Sequence, residues 1–118
     1  DMSTLRGWWE EDAQQTQRYY NHVLGHYGTA PAVATPELCE QVVCAHLTSN
    51  SMLSILSFQD WMSVDGQLRN PNVAEERINV PANPRHYWRY RMHLTLEQLM
   101  AADDLNNKIR QMIADSGR

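Results

Sequence analysis

Met52-Leu53-Ser54-Ile55-Leu56-Ser57-Phe58 constrains the fold of this chain more than any other stretch. It is short, apolar and bounded by polar residues on both sides, the pattern of a β-strand buried on both faces. Such a strand needs cover, and the flanking sequence offers helices to provide it. Trp9, Ala13, Thr16, Tyr20, Val23, Leu24 and Tyr27 recur at helical spacing, which predicts a helix from about residue 10 to 24. Gly25 and Gly28 are stop signals, and Pro31 lies beyond that helix. Thr35-Pro36-Glu37-Leu38 then combines a hydroxyl cap, proline at the first helical position and an acid near the positive end of the dipole. That second helix is expected to run to about Leu47, with a wide apolar face that implies deep packing.

Beyond the apolar run, residues 65–86 are rich in Gly, Asn and Pro, and Pro71, Pro81 and Pro84 exclude a long helix there. A loop of this length in a compact domain is usually functional or disordered. Gln59-Asp60-Trp61 follows the expected strand directly, the end at which parallel sheets bind ligands. Helix returns at the C-terminus, where Thr95 can cap Leu96-Glu97-Gln98 and Leu105, Ile109, Met112 and Ile113 form a stripe. Asp103-Asp104 marks the expected break between two helical pieces, and Gly117 ends the second. The fold class read from the residues is mainly α with one buried β-strand, as in part of an α/β protein.

At 118 residues the chain is one domain, with 42% hydrophobic and 20% charged residues, a globular composition. The net charge of −4 opposes a general polyanion binder, because phosphate neutralisation dominates nucleic-acid affinity. No apolar run approaches the roughly 20 residues that cross a bilayer. No secretory signal is visible at Asp1–Gly7, and a cytoplasmic location is expected. Cys39 and Cys44 lie five apart on one helix and point in different directions, so they read as small buried thiols without a disulfide or shared metal. His22 and His26 have the spacing of a helical metal pair, but no third ligand accompanies them and Gly25 interrupts the helix; no metal and no cofactor are expected.

The densest feature is Arg85-His86-Tyr87-Trp88-Arg89-Tyr90-Arg91. Its aromatics and arginines could stack bases and hold phosphates, as in a small RNA-binding module. They could equally meet the apolar faces and hydroxyls of sugars. The third reading is structural, with Trp88 and Tyr90 packed inward and the arginines paired with acids such as Glu75 and Glu76.

Three blocks, in this order, resemble the amylomaltase family, the 4-α-glucanotransferases or disproportionating enzymes. They are Asp1-Met2-Ser3-Thr4-Leu5-Arg6-Gly7-Trp8-Trp9, then Leu56-Ser57-Phe58-Gln59-Asp60-Trp61, then Glu76-Arg77-Ile78-Asn79-Val80-Pro81 with Tyr87-Trp88-Arg89-Tyr90-Arg91. The resemblance implies the C-terminal part of a TIM-type barrel: the seventh helix, the eighth strand at 52–58, and closing helices. It implies a retaining transfer of α-1,4-glucan segments to acceptor sugars, in which an Asp nucleophile and a Glu acid/base act in turn. Both belong to a region upstream of residues 1–118, so this chain alone is expected to be inactive. By motif match, Asp1 is the family's third carboxylate, which supports the distorted transition state. Asn79 matches an asparagine of the substrate-binding wall, with Arg77 and Asp60 organising it. At Tyr87 the family pattern more often has asparagine.

The implied ligands are α-1,4-glucans such as maltodextrins, with no nucleic acid and no membrane partner. A strand deprived of its neighbours is also expected to make the isolated chain self-associate. A non-catalytic helical interaction protein from a truncated gene is the remaining alternative.

Overall fold

The computed structural model describes residues 2–118 and contains six α-helices and one 3₁₀ turn among them. Helix α1, Leu5–Glu11, starts where Thr4 accepts a hydrogen bond from Gly7 N at 3.1 Å. Helix α2, Ala13–His22, follows at once. The single helix expected over 10–24 is therefore two. Asp12 is the cause: its backbone is extended (φ −143°) while its carboxylate accepts from Gln14 N and Gln15 N at 3.0 and 3.2 Å. An N-cap hydrogen bond of this kind competes with helix continuation, and the hydrophobic period does not register it.

Gly25 (φ 73°) takes the left-handed conformation that carries the chain out of α2. Helix α3, Pro36–Leu47, begins as its sequence dictates, with Thr35 Oγ1 accepting from Leu38 N at 3.2 Å and Pro36 in the first turn. It buries Leu38, Cys39, Val42, Val43 and Leu47. Trp9 packs onto this helix's cluster at 1% exposure, and its indole N–H donates to Pro31 O at 2.8 Å, so both ends of the ring are satisfied. Leu105 and Met112, from helix α6 (Asp103–Asp115), close the same core. Lys108 reaches Glu40 on α3 at 3.1 Å, a half-exposed pair that adds little beside that packing.

The strand expected at 52–58 does not form. Among the described residues there is no β-strand at all. Residues 53–57 belong to no helix or ladder, with Met52, Leu53 and Ile55 at 92, 73 and 89% exposure. A strand is defined by its ladder, and among the described residues none forms with this segment. Ser57 and Phe58 belong to another element: Ser57 Oγ accepts from Asp60 N at 3.2 Å and caps helix α4, Phe58–Met62. The Ser-x-x-Asp spacing that signals this start is present in the sequence.

Between α4 and the C-terminal helices the chain is held by polar side chains. Asp65 caps the turn through Gln67 N and Leu68 N at 2.9 and 3.0 Å. A Cβ at Gly66 would meet Pro36 Cγ at 3.1 Å, so this turn lies hard against the start of α3. Arg69 donates to Ala34 O at 2.8 Å, and a 3₁₀ turn follows at Val73–Glu76. Helix α5, Leu96–Met100, carries the full capping box: Thr95 Oγ1 accepts from Gln98 N, and Gln98 accepts from Thr95 N. The break before α6 falls at residues 101–102, with Asp103 and Asp104 in the first turn of α6. Arg118 donates to the carbonyls of Leu47, Ser49 and Ser51 at 2.5, 3.1 and 2.7 Å, tying α6 to the C-terminal end of α3.

Candidate functional site

A cavity of about 570 Å³ is walled by α1, α2, α3 and the segments around residues 56–60 and 77–81. Its surface is largely apolar: Met2, Leu5, Trp8, Tyr19, Val42, Val43, Leu56 and Pro81. Trp8 and Tyr19 meet edge to face with ring centroids 5.5 Å apart, and burial pushes the Tyr19 phenol above its ordinary value. Ser3, His46, Asp60 and Arg77 supply the polar groups. A volume of this size, apolar with a few convergent polar groups, is the usual form of a small-ligand site.

The polar groups are fixed by neighbours. Asp60 Oδ1 accepts from Leu5 N at 2.8 Å, so a residue of α4 closes the N-terminus of α1, where a carboxylate is favoured. His46 Nδ1 donates to Val42 O at 2.8 Å, which fixes the orientation of the ring. Arg77 Nε donates to Asn79 O at 2.8 Å, and its Nη1 stands 3.5 Å from Glu11 Oε1. Ser3 Oγ donates to the same Glu11 carboxylate. Asn79 is buried behind this wall and is not among the residues lining the cavity.

Behind the wall lies a second, wholly buried group. Arg6 Nη1 donates to Glu76 Oε1 at 2.8 Å and to Asn70 O at 2.7 Å, and Gln59 Nε2 donates to Glu76 O at 3.0 Å. This joins α1, α4 and the 3₁₀ turn. Burial pushes the Glu76 carboxyl above the usual carboxylate range, while the Arg6 charge pulls it back. Tyr90 is raised too, by burial and by the Glu76 charge. Sequence reading missed this group, since nothing in the local pattern links Arg6 to a glutamate 70 residues away.

Of the site residues expected from sequence, the structure brings Asp60 and Arg77 to the cavity and places Asn79 beside Arg77. Asp1 lies outside the described residues, though Met2 and Ser3, which follow it, line the cavity. His22 is exposed, while His26 stacks on Tyr20 at 4.8 Å and shares a hydrogen bond with Gln41. No group of three His, Cys, Asp or Glu side chains among the described residues is placed to hold a metal ion. Cys39 is buried and its thiol is raised by that burial. No helix among the described residues is long and apolar enough to cross a membrane.

The cavity thus gathers Met2, Ser3, Leu5 and Trp8 from the first motif block, Leu56 and Asp60 from the second, and Arg77 and Pro81 from the third. The family model described as 4-alpha-glucanotransferase matches residues 1–96. This chain belongs to the 4-α-glucanotransferase family. Among its relatives is the 4-alpha-glucanotransferase DPE2 of rice (Oryza sativa subsp. japonica), 39% identical over 118 residues, which covers all of this chain and 12% of the rice protein. The 4-alpha-glucanotransferases of Chlamydia muridarum and Chlamydia caviae are 33% and 27% identical over 113 and 115 residues, covering 95% and 97% of this chain and 21% of each chlamydial protein. The chain therefore spans between about one-eighth and one-fifth of these relatives' length. No solved structure matches it.

Proposed function

We propose that these residues form the C-terminal part of the catalytic barrel of a 4-α-glucanotransferase, and that they supply the substrate wall of its cleft. The observation that carries this reading is the convergence of all three family blocks on one cavity. Among its described lining residues Asp60 is the only carboxylate, and its Oδ1 is engaged by Leu5 N. A retaining transfer needs two carboxyl groups, a nucleophile and an acid/base, with an oxocarbenium-like sugar between them. In the proposed enzyme both come from outside this chain, and Asp1 is the third carboxylate that stabilises the positive sugar. Asp60 and Arg77 act through the backbone they hold, Asp60 on the start of α1 and Arg77 on Asn79, and Asn79 meets a sugar hydroxyl. The substrate is an α-1,4-glucan such as a maltodextrin, the reaction needs no cofactor, and the setting is cytoplasmic. Alone, two copies of the chain associate through the exposed apolar stretch at Met52, Leu53 and Ile55.

The test is a chimera in which residues 1–118 replace the matching segment of the rice or C. muridarum relative, assayed by glucose release from maltotriose. The chimera should turn over, and Asp1→Asn in it should remove nearly all transfer while leaving it folded, because only the charge facing the positive sugar is lost. The 118-residue chain by itself should release no glucose. Full activity of the chimera with Asp1→Asn would overturn the assignment of Asp1.

A further inference from the structure

Arg85–Arg91 stands open to three readings in the sequence, and the structure narrows them. The structural reading has Trp88 and Tyr90 packed inward and the arginines paired with acids such as Glu75 and Glu76, and of these Tyr90 is half-buried. By contrast Trp88 is 64% exposed and Tyr87 73%, whereas Trp9 is buried and Trp8 and Trp61 are half-buried. Glu76 is taken by Arg6, and Glu75 is engaged by Asn70 and Asn72. Arg85, Arg89 and Arg91 have no carboxylate partner among the described residues. The nucleic-acid reading needs a basic face, and the chain carries a net charge of −4.

The segment that presents these rings is held from behind. His86 donates from its ring to Ile78 O at 3.1 Å, and its backbone N–H donates to Asn83 O at 3.0 Å. Arg89 N donates to Tyr87 O at 2.8 Å, a tight turn that folds the guanidinium back over the Tyr87 ring, 5.1 Å from its centroid. Tyr90 is half-buried, within reach of the Glu76 charge. Through His86 the turn is fastened at Ile78, between the Arg77 and Pro81 that wall the cavity.

Two exposed aromatic rings, with a guanidinium held over one face of Tyr87 and the indole of Trp88 open, suit a neutral sugar chain. The C–H face of a pyranose stacks on an indole or phenol, and a guanidinium presents parallel N–H donors to neighbouring hydroxyls. We infer that Tyr87, Trp88 and Arg89 form a second glucan-binding site, on the surface outside the cavity, which holds an α-1,4-linked oligosaccharide by stacking without reacting with it. The choice of an α-1,4-glucan rests on the function proposed above; the existence of a sugar platform rests on the exposed rings.

The test is titration of the 118-residue chain with maltoheptaose, followed through the indole N–H resonance of Trp88, with cellohexaose as the β-linked control. Maltoheptaose should move the Trp88 resonance, and Trp88→Ala should weaken binding about tenfold, the loss expected for removing one aromatic stacking partner. Arg89→Ala should give a smaller loss. Since Trp88 is exposed, Trp88→Ala should keep the parent's circular dichroism. An unmoved Trp88 resonance, unchanged affinity in Trp88→Ala, or equal binding of cellohexaose would each overturn the inference. An active chimera with a silent Trp88 would sink this site alone; an inactive, folded chimera whose Trp88 still binds maltoheptaose would sink the catalytic reading alone.

Discussion

Arg6 and Glu76 meet at 2.8 Å with both side chains about 4% exposed or less, and this pair fastens the first helix to the 3₁₀ turn that leads into the Arg77–Pro81 wall. The pairing is incomplete: Arg6 Nε and Glu76 Oε2 are buried without a hydrogen-bond partner. Two ions withdrawn from water at this cost hold only if each keeps the other.

Removing one partner should therefore be far worse than removing both. Arg6→Ala strands a buried carboxylate and should cost about 3–5 kcal/mol in urea unfolding, while Arg6→Met combined with Glu76→Leu should cost clearly less than either single change. Equal or additive losses would mean that the pair is not a coupled unit.

The raised Glu76 carboxyl makes a pH prediction whose sign is fixed. Where the folded value lies above the unfolded 4.5, the folded state holds the proton more tightly. Its contribution to stability is then full below 4.5 and is lost as pH rises through the folded value. Glu76→Gln cannot titrate, so the stability of the parent relative to Glu76→Gln should fall with rising pH from 4.5 upward. A difference that grows with pH over that window would reverse the assigned direction.

Asp60 serves α1 from a distance, through Leu5 N at 2.8 Å. Asp60→Ala should destabilise the chain by about 0.5–2 kcal/mol, the range for a lost N-terminal helix partner. In the chimera the same change should also depress kcat, because the start of α1 adjoins the segment that carries Asp1. Thermal unfolding and maltotriose kinetics on one preparation separate the two effects. Loss of stability with unchanged kcat would confine Asp60 to a folding role.

How much of this was legible in the sequence depends on the distance over which each feature is encoded. Helix α3 is written in four adjacent residues, Thr35 to Leu38, and it begins where they say. The apolar stripe of α6 and the capping box at Thr95 are equally local. Asp12 is local too, but it speaks through a side-chain hydrogen bond that a periodicity reading passes over. The stretch at 52–58 has the composition of a strand, yet strand identity is settled by a partner, and none lies alongside it among the described residues. At the site, the motif blocks pointed to Asp60, Arg77 and Asn79, but only the fold shows that Asp60 and Arg77 line the cavity while Asn79 stands behind it. The Arg6–Glu76 pair was invisible because its two halves are 70 residues apart.

The exposed edge at Leu53–Ser57 should make the purified chain associate with itself, since free N–H and C=O groups beside Met52, Leu53 and Ile55 form a pairing template. Light scattering after gel filtration should show a mass that rises with concentration, and Ile55→Lys should return the chain toward monomer, a charge being the usual guard of a free edge. A parent chain that stays monomeric at every concentration would sink this expectation.

Five of the six α-helices start at a side-chain cap, on Thr4, Asp12, Thr35, Ser57 and Thr95. Each of these starts is thus capped by a residue next door, and only α1 is also held from afar, by Asp60. The flanks of Leu53–Ser57, α3 before it and α4 after it, are in register before any second surface arrives. Encounter with that surface is then a docking of ready-made patches, with no refolding step to wait for. Its association rate belongs with rigid partners, on the order of 10⁵–10⁷ M⁻¹s⁻¹, and not with segments that fold as they bind.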